Sequence, residues 1–176
     1  MDLTKIKLPD AVEVSGVFYP IHTGHTYWFR FMQICKDKEA TIGDFDYIYI
    51  GEPPEDRRAG LQELLKFAWE KKDIPRSDGE ESHTRIIDYD IDSDLIWAAV
   101  LQCYGVDLAK EEVHWHKVRA MLAALPGTRL EEVMGWRCYT GKDVHLQRLQ
   151  RMWALPEIVD EESEKNLEEF NALFGD

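Results

Sequence analysis

Long apolar runs are missing from this chain. The longest unbroken one, Leu95 to Leu101, is far short of the ~20 residues a bilayer-spanning helix needs. Residues 1–20 mix charges with prolines and lack the apolar core of a secretory signal. Cysteine is scarce. Cys35, Cys103 and Cys138 are odd in number, far apart and set among apolar neighbours, which suits buried thiols in a reducing cytosol rather than a disulfide framework or a zinc site. Positive charge is also in short supply: 21 Lys and Arg against 34 Asp and Glu leave a net charge of −13, which argues against a nucleic-acid binder, since neutralising phosphates takes clustered cations. No nucleophile elbow, HExxH helix or dinucleotide-binding glycine pattern is present. The expectation is an intracellular soluble protein that is not an enzyme and carries no cofactor.

What remains is material for one domain, because 44% hydrophobic residues in a chain of 176 can bury a real core. Charge is unevenly spread. From Glu157 to Asp176 eight acidic residues face Lys165 alone, whereas from Lys110 to Trp153 eight Lys or Arg face five Asp or Glu. The acidic terminal segment either folds over this mildly basic middle or stands solvated toward a partner, and the sequence leaves both open.

Val12-Glu13-Val14 and Val17-Phe18-Tyr19 around Ser15-Gly16 predict a small hairpin. Thr23 is then expected to cap a helix whose apolar stripe is Tyr27, Trp28, Phe31, Met32 and Cys35. Residues 41–51 read two ways: Tyr47-Ile48-Tyr49-Ile50 as a buried strand, or Ile42, Phe45 and Ile48 at helical spacing. Pro53-Pro54-Glu55-Asp56 suits a helix start, with Leu61, Leu64, Leu65, Ala68 and Trp69 as the buried face. Residues 71–85, charged and containing Pro, Gly and Ser, predict an exposed linker. Four helical segments follow, with Trp97, Trp115, Trp136 and Trp153 in or beside them. A last helix, about Val159 to Phe174, would bury Leu167, Phe170 and Phe174 and expose its acids. The expected fold is mainly α: a compact multi-helix domain over residues 1–156 with a small N-terminal β-hairpin, followed by an acidic amphipathic helix over 157–176. The six tryptophans are irregularly spaced, so they are core material rather than the mark of a solenoid.

Four patterns invite a chemical reading. Asp88, Asp90, Asp92 and Asp94 alternate as in a calcium loop, but Ser93 and Ala99 stand where the EF-hand needs Gly and Glu. A segment leading into a helix, with Asp92 or Ser93 as N-cap, fits better. His114 and His116 flank Trp115, yet residues two apart on a helix point in different directions and cannot share a metal. His22 and His25 have usable spacing but no nearby Cys or carboxylate completes a set, so these read as ordinary helix-start and surface histidines. The Gly135 to Lys142 stretch misses the phosphate-loop spacing and has Asp143 where Ser or Thr is needed.

Three blocks in order carry a resemblance. The first is Gly16 to Phe31 (GVFYPIHTGHTYWFRF), and the second is Pro53 to Trp69 with its Pro-Pro-acidic start and Leu-Leu-x-Phe run. The third runs from Arg85 to Thr140, with Tyr89, Trp97-Ala98-Ala99, Tyr104-Gly105-Val106-Asp107-Leu108, His114-Trp115, Leu125-Pro126 and Arg137; the likeness continues to Trp153-Ala154-Leu155-Pro156. Together they cover most of residues 12–156, and the chain resembles the bacteriophage "gene product fifteen" family of tail gene clusters. Two departures stand out: His116 replaces a second aromatic, and Tyr47 to Ile50 is more strand-like than the helix the family suggests.

The resemblance implies a tail-assembly chaperone in the host bacterial cytoplasm. Its implied partners are the tape-measure protein, kept soluble, and the major tail protein, recruited around it, with neither nucleic acid nor membrane involved. Homo-oligomerisation is left open. The residues expected to form a recognition surface are Trp115, His116, Arg119, Trp136 and Arg137, because Trp and Arg favour interface hot spots. A core position for Trp115 and Trp136 is the competing assignment. Two rival functions are a structural component of the tail or head–tail joint, and a metal-dependent enzyme using Asp88 to Asp94.

Overall fold

A computed structural model of the protein describes residues 7–69 and 85–156. Residues 71–84 of the expected linker and the expected helix from 159 to 174 lie outside the described residues. Within them the order is β1 (Ala11–Val14), β2 (Val17–Pro20), α1 (His25–Ile34), a 3₁₀ helix (Ile42–Ile48), α2 (Arg57–Trp69), α3 (Ser93–Tyr104), α4 (Trp115–Leu122), α5 (Arg129–Arg137) and α6 (Val144–Trp153). The mainly α fold with its N-terminal hairpin is the one the sequence predicts.

The hairpin closes through two residues, with Val14 opposite Val17. Ser15 and Gly16 both have positive φ, 52° and 81°, which matches the right-handed twist of the flanking strands. Val12 and Val14 turn inward while Glu13 faces water, the period of two that a half-buried strand requires. After β2 the chain pairs with residues 48–50: the His22 N–H donates to the Ile48 carbonyl and the Ile50 N–H to the Pro20 carbonyl, both at 2.8 Å. Both readings of residues 41–51 therefore hold in part. Ile42–Ile48 forms the 3₁₀ helix, entered through a reciprocal cap between Thr41 and Asp44, and Tyr49 then bridges Ile21 as an isolated extended residue.

Helix α1 lies at the centre of the core. Trp28 and Phe31 are fully buried; the Trp28 ring stacks on Phe67 of α2 at 4.8 Å and lies 6.2 Å from Trp115 of α4. Burying a large apolar side chain of this kind stabilises a fold by roughly 1.5–3 kcal/mol. Each indole N–H also has an acceptor, the His22 carbonyl for Trp28 and the Ala68 carbonyl for Trp115, as a buried indole requires.

Several expectations need correcting. Gly24, not Thr23, is the N-cap of α1, because the Thr23 carbonyl accepts the Trp115 N–H at 2.7 Å and so belongs to a joint with α4. On α2 the buried face is Gly60, Leu61, Leu64, Phe67 and Ala68; Leu65 is half-buried and Trp69 exposed at the helix end. The cysteines are not core residues: Cys35 and Cys138 are exposed and Cys103 intermediate, although the Cys35 thiol itself is shielded enough for burial to push its pKa up to about 12. Cys35 and Cys138 occupy the C-caps of α1 and α5, where the chain has already turned away from the buried stripe.

The later helices have clear boundaries. Gly105 ends α3 in the left-handed region at φ 66°, where glycine carries no steric cost. Thr128 caps α5 by accepting the Glu131 N–H, while the Glu131 carboxylate accepts the Gly127 N–H at 2.7 Å. The Asp143 carboxylate caps α6 through the His145 and Leu146 N–H groups.

Candidate functional site

The five residues expected on a recognition surface do not form one. Trp115 is fully buried, with Phe29 edge-on at 5.9 Å and Tyr89 at 5.7 Å. His116 is buried against Phe67, whose ring stacks 4.3 Å away and whose carbonyl lies 3.0 Å from Nε2. Arg137 is buried as well. Only Arg119 and Trp136 are partly exposed; Trp136 lies 6.0 Å from Trp153, with the Arg129 guanidinium 5.5 Å over its ring. The reason is periodicity. Trp115 and Val118 share the inner side of α4, and Arg137 closes the inner stripe of Leu130 and Val133 on α5.

Arg137 instead ties the domain together. Its Nη1 and Nη2 donate to the two Asp92 carboxylate oxygens at 2.6 and 2.9 Å, Nη1 also donates to the Ile86 carbonyl at 2.8 Å, and Nε to the Trp153 carbonyl at 2.7 Å. One side chain thus joins the segment before α3, the start of α3, α5 and the end of α6. Arg85, the last residue of the expected linker, extends the tie by donating to the Pro156 carbonyl.

The aspartate run is part of the same arrangement. Asp92 is the N-cap of α3 by position, but its carboxylate makes no cap hydrogen bond; it accepts from Arg137 and from the Asp88 N–H. Asp88 in turn accepts from the Asp90 and Ile91 N–H groups and from Lys36, just past the end of α1, at 2.8 Å. Burial alone would raise the Asp88 pKa, yet the Lys36 ammonium and the two N–H groups outweigh it and hold the carboxyl down to about 2. Among the described residues no group of three or more His, Cys, Asp or Glu is arranged to hold a metal ion.

The two histidine motifs meet in one joint. Gly24 bridges His114, the His25 N–H donates to the Val113 carbonyl, and the Val113 N–H donates to His25 Nδ1 at 3.2 Å. His25 Nε2 faces the Leu108 carbonyl at 3.0 Å, so both ring nitrogens are engaged. His25 and His116 are therefore interior groups, not surface ones. His114 Nδ1 accepts the His116 N–H and caps α4, while Nε2 faces the Pro9 carbonyl at 3.0 Å. Burial lowers the His114 pKa below its ordinary 6.5.

The exposed chemistry lies on α3. Ile96, Ala99 and Val100 bury its inner side, yet Trp97, Leu101 and Tyr104 form a second stripe at i, i+4 and i+7 that is 42%, 37% and 39% exposed. A helix that is apolar all round is normally covered on all sides. The polar ends of the two aromatics are already engaged: the Trp97 indole donates to Asp107 at 2.9 Å, and the Tyr104 hydroxyl donates to the Ala124 carbonyl at 2.6 Å. The Trp97 N–H, together with the Lys110 ammonium, holds the Asp107 carboxyl below its usual range. The stripe thus presents pre-set apolar rings. Its Tyr104 end adjoins the α4–α5 corner, where Leu122 to Pro126 with Glu131 and Met134 line an open groove of about 480 Å³. The signal in the sequence is the uninterrupted apolar run from Leu95 to Leu101.

Among the described residues the buried groups Asp88, Asp92 and Arg137 serve as internal ties, and the outer side of α3 is apolar. The sequence profile described as Bacteriophage Gp15 protein matches residues 5–160, and the chain belongs to that family. It is accordingly a phage structural or morphogenesis protein. No curated protein and no solved structure matches it. No helix among the described residues is long and apolar enough to cross a membrane.

Proposed function

We infer that this protein is a non-enzymatic tail-assembly chaperone acting in the host cytoplasm. In this reading it keeps the tape-measure protein soluble and helps to recruit the major tail protein around it. The observation that carries the inference is the exposed Trp97-Leu101-Tyr104 stripe running toward the groove at Leu122 to Pro126. A long tail-length helix has apolar residues at the same i, i+4, i+7 spacing and nothing to bury them against before assembly. Laying such a helix in the groove covers both surfaces, and Trp and Tyr are the side chains that concentrate binding energy in contacts of this type. Release follows when tail subunits cover the same helix. The test is co-expression with the tape-measure protein: the reading expects a soluble complex that is lost when this chain is omitted. A tape-measure protein equally insoluble with and without it contradicts the reading.

A further inference from the structure

Negative charge is nearly absent from one stretch of this acidic chain. Across residues 133–156 the single acid is Asp143, and its carboxylate is taken up capping α6. Leu146, Leu149 and Trp153 turn α6 toward α5 and are half-buried. The opposite side presents Val144, Arg148 and Met152 at i, i+4 and i+8, with Arg151 beside Arg148. Val144 is 76% and Met152 64% exposed, and both arginines are exposed too. The side chains of Lys142, Arg148 and Arg151 make no hydrogen bond or ion pair among the described residues. This side of α6 is therefore cationic, with two apolar side chains set among the charges, and α5 packs between it and α3.

We propose that this side of α6 is a second docking surface, and that it takes an acidic amphipathic helix of another protein. Free cations gathered on one side of a chain whose net charge is −13 draw an anionic partner and fix its orientation. Each guanidinium can hold a carboxylate through two parallel N–H donors. Val144 and Met152 decide which kind of anion fits. A phosphate backbone covers neither of them, and three cations are too few to hold a nucleic acid against the charge of the whole chain. The apolar residues of a protein helix cover both, and the flexible thioether of Met152 adapts to their shape. A helix is the matching shape because Val144, Arg148 and Met152 lie on one i, i+4 row, the ridge that packs into the groove of a second helix. The carboxylates of the partner then flank its own apolar stripe and meet Arg148 and Arg151. The assignment stands on α6 alone and does not need the α3 reading.

The experiment titrates the full chain into a labelled amphipathic helical peptide, with Leu on one stripe and Glu on both flanks, read by fluorescence anisotropy. The peptide should bind, more weakly as salt is added. A version with Gln for every Glu should bind roughly fivefold less tightly or worse, and Arg148→Gln with Arg151→Gln should lower the affinity for the Glu peptide by a similar factor. Val144→Ser with Met152→Ser should also weaken binding but leave its salt dependence in place. All four positions are exposed, so the thermal melt of each variant should match the parent and report an intact fold. Leu101→Glu, on α3, should bind the peptide as the parent does; a loss there would place the peptide on α3 and overturn the proposal. Absent binding, binding indifferent to the arginine changes, or a short duplex DNA held as tightly as the peptide would each overturn it. Two other occupants are tested in the same way. Replacing the acids of residues 157–176 with their amides should leave the affinity unchanged, and a gain of roughly tenfold would mean that the chain's own segment holds the face. The mass of the chain alone should not rise with concentration, and a rise abolished by the arginine changes would make a second copy the occupant. Either result overturns the proposal.

Discussion

Replacing Arg137 with Ala should cost more stability than almost any other single polar change in this protein. The guanidinium supplies both donors to the buried Asp92 carboxylate and one each to the Ile86 and Trp153 carbonyls, all within 2.9 Å. Asp92 would be left with the Asp88 N–H alone. Removing one partner of a buried pair strands a charge and typically costs ~3–5 kcal/mol. In a domain of this size each kcal/mol moves Tm by about 2–4 °C, so Tm should fall by about 6–20 °C. Arg137→Lys keeps the charge but not the forked geometry and should lie between the two. Asp92→Leu with Arg137→Met removes both charges and should recover much of the loss, since no charge is then stranded. The assay is thermal and urea unfolding followed by far-UV circular dichroism. A surface recognition residue would behave in the opposite way, leaving Tm unchanged and weakening partner binding. An Arg137→Ala protein that melts within about 2 °C of the parent would refute the internal tie, because even ~1 kcal/mol exceeds that shift.

Acid should expose the second part of the same network. With its folded pKa depressed from 3.8 to about 2, Asp88 contributes stability that is fully present above about pH 4 and disappears as pH falls through 2, worth ~2 kcal/mol. The difference in urea midpoint between the parent and Asp88→Asn should shrink over that window, and a constant difference contradicts the assignment. His114 has a folded pKa below 6.5, so its contribution is present above 6.5 and lost as pH falls. Taking away the cap with His114→Ala should cost ~1 kcal/mol near neutrality and flatten the slope just below pH 6.5, and an unaltered slope counts against the cap. Gly60→Ala would place a Cβ 2.6 Å from both Pro54 Cγ and the Tyr49 hydroxyl. The overpacking cost of ~1–3 kcal/mol should outweigh the ~1 kcal/mol gained in helix propensity; a more stable Gly60→Ala protein would show that the contact relaxes freely.

Local signals in the sequence carried the elements, and long-range partners decided the rest. The hairpin was legible because Ser15-Gly16 and the alternating valines act within four residues of each other. The end of α3 was legible because Gly105 alone allows its left-handed turn. Thr23 looked like a cap because capping is local, but its carbonyl is taken by Trp115, far along the chain. Arg137 looked like a surface hot spot because its acceptor Asp92 is 45 residues away, and no local pattern links the two. Trp115 attracted attention for its histidine neighbours, which the fold uses to join two helix starts. The α3 stripe was the reverse case: its signal, apolarity on both sides of one helix, was present in the sequence and needed only the identity of the covered side.

The central claim is that the outer face of α3 takes a partner helix, and Leu101→Glu tests it most directly. Leu101 is exposed, so a charge there should leave Tm within about 2 °C of the parent, surface changes being worth less than ~0.5 kcal/mol. In co-expression with the tape-measure protein, the account predicts that the substituted chain stays folded and no longer co-purifies with, or solubilises, that partner. Undiminished recovery of the complex with Leu101→Glu, together with the same result for Trp97→Glu, would contradict it.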